Sequence, residues 1–459
     1  MLRARTAVRS YKDADLVAPV RAGAREQGGP PRTLIIGIDA VPYTLVRQMT
    51  GGSSLFEDFQ GPAALNSTFP SISYTAWSSL LEPLGSTRPL GYETRYFDST
   101  SKKLKGGLSL AEVPASWKET FDWKLHGLVR TAVAYGLPRR YSIWELKHGL
   151  QAFAESPSAI FSMYIVSTDG LAHLSGPDGL AEVLQAVDTQ VKAFKVRHPD
   201  MPFNTILLSD HGIAGGEPLV NIWPAVRSAV KQAGFRVRHR LVGAHDVVFN
   251  PYGLVTNLVA YAAPGAATAL AEVFAQVPGV DLAVICAGAS AWRLCSSRGR
   301  ALIERRPGHA GCVWRYREED GDPLGYAPVV AALKRRAHDA TAEWFPDRWW
   351  FEATRRSFYP DALHRLAQSF DLTDTPPAVI CSCTPGYMFG GLKTEYISRA
   401  TVGRLRWTHG ALHRDASLGF MMTDLPEWEA PEMVRAEEAL TCLTASEAEA
   451  AAVADLNEA

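Results

Sequence analysis

The sequence predicts an α/β protein: a central, mostly parallel sheet flanked by helices, with a smaller mixed-sheet insertion. Three features of the 459-residue chain carry that expectation: short apolar runs that end in aspartate, a helix-period segment between two of them, and a later stretch of short strands broken by Gly and Pro. The first run, Thr33-Leu34-Ile35-Ile36-Gly37-Ile38, follows Pro30-Pro31 and ends at Asp39. An unbroken apolar run of this kind is how a parallel strand covered on both faces reads. The second, Ala159 to Val166, ends at Ser167-Thr168-Asp169-Gly170; the third, Thr205 to Leu208, ends at Ser209-Asp210-His211-Gly212. Between them apolar residues recur at Leu180, Val183, Leu184, Val187, Val191 and Phe194, the 3.6-residue period of an amphipathic crossover helix. Strand, helix, strand is the repeating unit of a parallel sheet. Ala378-Val379-Ile380, leading into Cys381-Ser382-Cys383, and Gly419 to Met422 are expected to complete the series. The stretch from Val247 to Tyr326 reads as a mixed or antiparallel subregion, with short strands at Val247–Phe249, Leu258–Tyr261, Leu282–Ile285 and Cys312–Tyr316.

The expected organisation is a flexible leader over 1–32, one domain over 33–423 with an insertion or cap roughly over 213–405, and an acidic tail over 424–459. In that tail ten acidic side chains face Arg435 alone; it is alanine-rich, expected to be helical or frayed, and carries no chemistry. Over the whole chain 47 basic and 48 acidic residues give a net charge of −1, which argues against nucleic acid as a bulk partner. The leader holds Arg3, Arg5, Arg9 and Arg21 without the apolar region of a secretory signal. No run approaches the roughly 18 apolar residues of a membrane span. Six scattered cysteines do not make a disulfide scaffold, so a reducing, cytoplasmic location is expected.

Open α/β sheets place their sites outside the carboxyl ends of the strands. Here those ends carry Asp39, then Asp169 with His173, then Asp210 with His211. Ser73, in Phe69-Pro70-Ser71-Ile72-Ser73-Tyr74-Thr75-Ala76-Trp77, adds a hydroxyl, and His409, in Trp407-Thr408-His409-Gly410, adds a third imidazole. Such nitrogen and oxygen donors suit divalent ions of the zinc class. Two ions about 4 Å apart could engage both an attacking oxygen and an oxygen of a transferring phosphoryl group. Serine is a weak nucleophile at neutral pH, and a neighbouring cation would activate Ser73 by lowering its pKa. Asp169 and His173 are four apart, so on a helix they share a face. Taken singly, each has a plainer reading. A strand-end aspartate caps a helix, Asp210-His211-Gly212 makes a turn, Ser73 lies among Ser67, Ser71, Ser78 and Ser79, and His409 competes with His413. The full set in this order outweighs those readings.

On these motifs the sequence resembles the alkaline phosphatase superfamily, in its type I phosphodiesterase and nucleotide pyrophosphatase branch. Ile35-Ile36-Gly37-Ile38-Asp39-Ala40 is similar to the branch's opening strand with its first metal aspartate, and Thr68-Phe69-Pro70-Ser71-Ile72-Ser73 to its nucleophile loop. Asp169-Gly170-Leu171-Ala172-His173, with Ser175-Gly176-Pro177 after it, is similar to the Asp…His-x-x-Gly-Pro segment. Ser209-Asp210-His211-Gly212 and Thr408-His409-Gly410 complete the order. The resemblance implies an alkaline-phosphatase-like fold and two divalent metal ions, zinc foremost and manganese as the alternative. Asp169, His173 and His409 would hold one ion; Asp39, Asp210 and His211 would hold the other, with Ser73 beside it as nucleophile. It also implies a phosphoserine formed by in-line attack and released by water from the opposite side.

Two departures bear on substrate. Where the branch carries an asparagine that contacts a phosphoryl oxygen, this chain has Thr94, with Arg95 next to it. A guanidinium there could grip a dianionic phosphate in bidentate fashion, which favours monoesters. Leu81-Glu82-Pro83 replaces a small residue and glycine, which suggests a reshaped pocket rim. The sulfatase branch is excluded by the lack of a Cys-x-Pro-x-Arg segment. Tyr74, Trp77, Tyr92 and Tyr96 are candidates to stack on a planar leaving group. The expected function is therefore metal-dependent hydrolysis of phosphate esters, as a phosphodiesterase or nucleotide-pyrophosphatase-like enzyme. Alternatives are a phosphomonoesterase, a phosphonate hydrolase and a non-catalytic metal-binding protein. Substrate-binding candidates are Thr94, Arg95, Tyr74 and Trp77. The expected partner is a small phosphorylated metabolite or nucleotide, and the expected assembly a monomer or homodimer.

Overall fold

The apolar run that ends at Asp39 is a fully buried strand in the computed structural model, which describes residues 31–107, 116–127, 133–251, 253–309, 311–401, 403–441 and 443. The expected leader thus lies outside the described residues up to position 30, while Arg32 already belongs to the strand. The central sheet has six strands: β1 (Arg32–Ile38), β2 (Gln60–Asn66), β3 (Ile160–Ile165), β4 (Phe203–Leu208), β5 (Leu418–Thr423) and β6 (Met433–Arg435). Their spatial order is β6-β2-β5-β4-β1-β3. β1 pairs in parallel with β3 and β4, with Leu34 opposite both Phe161 and Thr205. β5 is antiparallel to β4 and β2, and β6 is parallel to β2, so only β5 runs against the rest.

Side-chain alternation along β1 explains why its run is continuous. Leu34, Ile36 and Ile38 face a layer built by α1 (Tyr43–Thr50), α3 (Pro138–Glu155) and α4 (Ser167–Arg197). Ile35 faces the opposite layer, with Trp77 and Leu80 of α2 (Ser73–Leu80), Trp117, Phe121 and Leu440. Both faces are buried, so both sets must be apolar. Gly37 belongs to the second face, where a Cβ would stand 2.8 Å from the Trp77 ring. The crossover helix is the second part of α4: Leu180, Val183, Leu184, Val187, Val191 and Phe194 are all buried. Its first part is set at an angle by Gly176 (φ 59°, ψ −152°), followed by Pro177.

Between β4 and β5 the chain builds a second, nine-stranded mixed sheet. Its order is Phe345–Pro346, Gly311–Gly321, Gly299–Gly308, Ala291–Ser296, Val280–Gly288, Val379–Cys383, Asn257–Ala262, Asp246–Phe249 and Arg236–Val237. The four short strands expected from the sequence all belong to it. With nine strands against six it is larger than the smaller insertion expected, because strands such as Arg236–Val237, Phe345–Pro346 and Gly299–Gly308 carry no long apolar run. Val379–Cys383 differs from expectation: it is a central strand of this second sheet, antiparallel to both neighbours, instead of part of the first. A strand buried on both faces reads alike in either sheet, and only pairing separates the two. The segment after Asp424 also differs. It supplies the edge strand β6, and Arg435 is buried in an ion pair with Asp361. Alanine content hid a strand of only three residues. The remainder, 444–459, lies outside the described residues. The five described cysteines are free, and no described helix is long and apolar enough to cross a membrane.

Candidate metal centre and nucleophile

Topology brings the chemistry to one edge. β1, β3 and β4 are adjacent and parallel, so Asp39, the start of α4, and Asp210-His211 emerge side by side. β2 runs the same way and delivers the 67–73 loop. Reversed β5 begins at that edge, so the segment before it, with His409, arrives there too.

Two clusters result. The ligand atoms of Asp39, Asp210 and His211 lie within 4.8 Å of one another, and so do those of Asp169, His173 and His409. His211 Nε2 is 3.2 Å from Asp210 Oδ2 and 3.6 Å from Asp39 Oδ1. Asp169 Oδ1 is 3.3 Å from His173 Nε2 and 3.5 Å from His409 Nε2. The His211 and His409 rings stack with centroids 4.0 Å apart, so the clusters adjoin. Ser73 opens α2, half-buried, with Oγ 3.4 Å from both Asp39 Oδ1 and His211 Nε2. The sharp exit from β1 depends on Ala40, held at φ 60°, whose N–H reaches Asp210 Oδ1 at 3.4 Å.

Each imidazole is anchored through its other nitrogen. Nδ1 lies 2.8 Å from Trp407 O in His173, 3.0 Å from Gly212 O in His211 and 3.0 Å from Ser71 O in His409. A carbonyl only accepts, so Nδ1 carries a proton and Nε2 is the nitrogen that faces the cluster, free to bind a cation when the ring is neutral. The carboxylates are anchored by tyrosines that motif reading missed: Tyr164 donates to Asp39 Oδ2, and Tyr135, on the surface, donates to Asp169 Oδ2 at 2.6 Å. Tyr164 could have been found from its place one residue before the end of a strand that alternates faces; Tyr135 leaves no sequence signal.

The electrostatics follow from burying three carboxylates together. Burial pushes Asp39 up to about 8, with the charge of Asp169 adding to it, and lifts Asp210 well above the carboxylate range. Burial would raise Asp169 as well, but His173 and His409 outweigh it and hold the group low. Burial pulls His173 down, yet Asp169 prevails and holds it at about 8; burial keeps His211 low. Among the described residues these carboxylates pair only with histidines, never with lysine or arginine. Asp169 Oδ1 and Asp210 Oδ2 are buried without a hydrogen-bond partner. Two sets of nitrogen and oxygen donors, with carboxylate oxygens that lack a hydrogen-bond partner among the described residues, fit divalent cations.

No family model matches the chain, and no curated protein does. Solved structures do. The chain is similar to human ectonucleotide pyrophosphatase/phosphodiesterase 5, with 11% identity and a TM-score of 0.44 over 90% of this chain and 93% of that one. It is similar to the murine protein of that name, solved in an inactive form with AMP, with 11% identity and a TM-score of 0.46 over 90% and 94%. It is also similar to phosphonoacetate hydrolase from Sinorhizobium meliloti, solved with phosphonoformate, with 10% identity and a TM-score of 0.46 over 89% and 94%.

The substrate-binding candidates fare differently. Trp77 is a correction. It is fully buried, packed on Trp117, Phe121 and Tyr164, and its indole N–H is 3.5 Å from Asp39 Oδ2. It supports a carboxylate and cannot stack on a substrate. Tyr92 is likewise buried, its hydroxyl donating to Ser369 O at 2.6 Å. Tyr74 is half-buried against Trp117. Thr94 Oγ1 is buried without a partner. Arg95 begins the 95–98 strand, with Nε lying over Gly107 and its carbonyl accepting from Asn250.

Proposed function

We propose that this chain hydrolyses phosphate esters through a phosphoserine at Ser73, with phosphodiesters or nucleotide pyrophosphates as substrates and two divalent cations, zinc foremost and manganese as the alternative. The observation that carries the reading is Ser73 Oγ, half-exposed and 3.4 Å from both Asp39 Oδ1 and His211 Nε2. Asp39, Asp210 and His211 would hold the cation nearer Ser73; Asp169, His173 and His409 would hold the other. When bound, such cations supply positive charge that lowers the pKa of a nearby hydroxyl and offsets charge on phosphoryl oxygens.

The chain's own residues do the rest. Ser73 stands at the positive end of the α2 dipole, where an anionic phosphoryl group is favoured. Its Oγ gives up its proton and forms a bond to phosphorus as the bond to the leaving oxygen breaks on the far side; the leaving group, an alcohol from a diester or a phosphate from a pyrophosphate, takes up a proton. Water then attacks the phosphoserine, which still carries the second ester group, releasing a phosphate monoester and restoring the hydroxyl. The Nδ1 anchors fix the imidazoles through both steps, so little reorganisation accompanies the chemistry.

Replacing Ser73 with alanine tests this. Turnover of an aryl phosphodiester is expected to fall at least about a thousandfold, in line with loss of an activated nucleophile. Zinc content by elemental analysis is expected to stay near that of the unaltered protein. Undiminished turnover in the variant removes Ser73 from the mechanism.

A further inference from the structure

Arg365 is a buried cation without a salt-bridged carboxylate; Asp361, whose charge reaches it, is ion-paired to Arg435. Arg365 lies in the helix Ala362–Gln368 of the inserted region, and among the described residues no carboxylate comes within ion-pair distance of it. Its planar fork binds three backbone carbonyls and one hydroxyl instead. Nη1 donates to Leu412 O at 2.9 Å and Pro360 O at 3.2 Å; Nη2 donates to Thr68 O at 3.2 Å and Ser71 Oγ at 3.2 Å. Burial lowers its pKa to about 10, the mark of a cation held in an unfavourable medium.

Its targets are the two loops that carry Ser73 and His409. Ser71 laces them together: its N–H reaches Gly410 O at 3.4 Å, its Oγ lies 3.0 Å from Ala411 O, and its carbonyl is the acceptor that orients His409 Nδ1. Thr68 and Leu412 flank the lacing on either side, and Arg365 grips both. A buried apolar side chain of like volume would pack there without the cost of desolvating a guanidinium. What it would lack is a rigid set of donors fixing the angle between the loops.

We propose that Arg365 is a positioning residue, which sets the placement of Ser73 and of the His409 imidazole by clamping the 68–71 and 410–412 loops onto each other. The inserted region thereby contributes directly to the geometry of the centre on the first sheet. This rests on the reading of Ser73 and His409 given above.

The test uses Arg365→Met, Arg365→Lys and Ser71→Ala in the full chain, loaded with cobalt(II) as a spectroscopic probe. Arg365→Met is expected to shift the visible cobalt absorption and to lower kcat for an aryl phosphodiester about tenfold or more. KM should change less than about twofold, because positioning acts mainly in the transition state. Arg365→Lys should recover part of both. An Arg365→Met protein that unfolds at lower temperature but keeps its cobalt spectrum and kcat overturns the proposal, since the role is then structural only. Should that variant fail to fold, Ser71→Ala is read by the same criteria: a shifted spectrum with lowered kcat upholds the clamp, and an unchanged pair overturns it. Ser73→Ala run in parallel separates the two readings. Turnover surviving there defeats the nucleophile assignment, while the cobalt spectra, which need no turnover, still decide on Arg365.

Discussion

Three imidazoles enter the centre by one device, a backbone carbonyl that accepts a hydrogen bond from Nδ1–H and leaves Nε2 facing the cluster. His413 shows what a histidine looks like without it. It is buried, stacked on Phe358, with neither ring nitrogen hydrogen-bonded, and burial lowers its pKa. By composition His409 and His413 are rivals and motif order favours His409; in the structure, of these two only His409 has an anchored Nδ1. An unsatisfied buried polar group costs on the order of 1–3 kcal/mol, so an apolar replacement at 413 should be neutral or stabilising. His413→Phe is expected to keep its zinc content and its thermal midpoint, or to raise the midpoint. His409→Ala should lose about one of two ions, having given up one of three ligands. Elemental analysis and calorimetry on both variants check the pair, and loss of metal from the 413 variant alone would reverse the assignment.

The element that matters most for the second cluster is the first part of α4. Asp169 and His173 share its face at a spacing of four, and the kink at Gly176 frees this part from the crossover helix behind it. Trp407 fills the kink, where a Cβ on Gly176 would lie 2.5 Å from its ring, and its carbonyl anchors His173. The start of α4 is capped from another helix. Glu145 of α3 accepts the N–H groups of Ser167 at 3.0 Å and Val166 at 3.3 Å. Burial pushes its carboxyl up from 4.5 to about 7. A carboxyl with a higher pKa folded than unfolded supports folding below the unfolded value and loses that support as pH rises through the folded one. The unaltered protein should therefore lose unfolding free energy between about pH 4.5 and pH 7. Glu145→Gln, which cannot titrate, should lack that component. Urea unfolding across this range compares the two, and parallel pH profiles would reject a titrating cap.

At the scale of the whole molecule, the six-stranded sheet gathers segments as far apart as Asp39 and His409 at one edge. Of the three carboxylates buried there, His173 and His409 offset Asp169, while Asp39 and Asp210 oppose folding once ionised. Asp39, raised to about 8, and Asp210, also raised by burial, favour the folded state while protonated, so the metal-free protein should weaken as pH rises toward 8. A divalent cation binds the ionised carboxylates and removes that penalty. Zinc is thus expected to raise the thermal midpoint, by the equivalent of about 2.7 kcal/mol at a hundredfold excess over Kd, and by more at pH 8 than at pH 6. Chelation should return the midpoint to that of the metal-free protein. A zinc effect that is absent, or that shrinks with rising pH, would contradict the two-cation reading.

What the sequence determined by itself was local. Apolar runs such as Leu34 to Ile38 marked buried strands because burial on both faces permits no polar position. The helix period over Leu180 to Phe194 marked the crossover, and the strand-end aspartates marked where two clusters of donor side chains gather. Pairing and approach were decided only by the tertiary structure. Val379–Cys383 joined the second sheet, Met433–Arg435 became an edge strand, and Trp77 turned inward to support Asp39. Tyr135, Glu145 and Arg365 act across more than twenty residues of chain, through hydrogen bonds whose donors and acceptors are ordinary residues anywhere else. Composition and spacing encode which side of a strand or helix is apolar; they do not encode which distant carbonyl a side chain will meet, because that depends on every element packed between them.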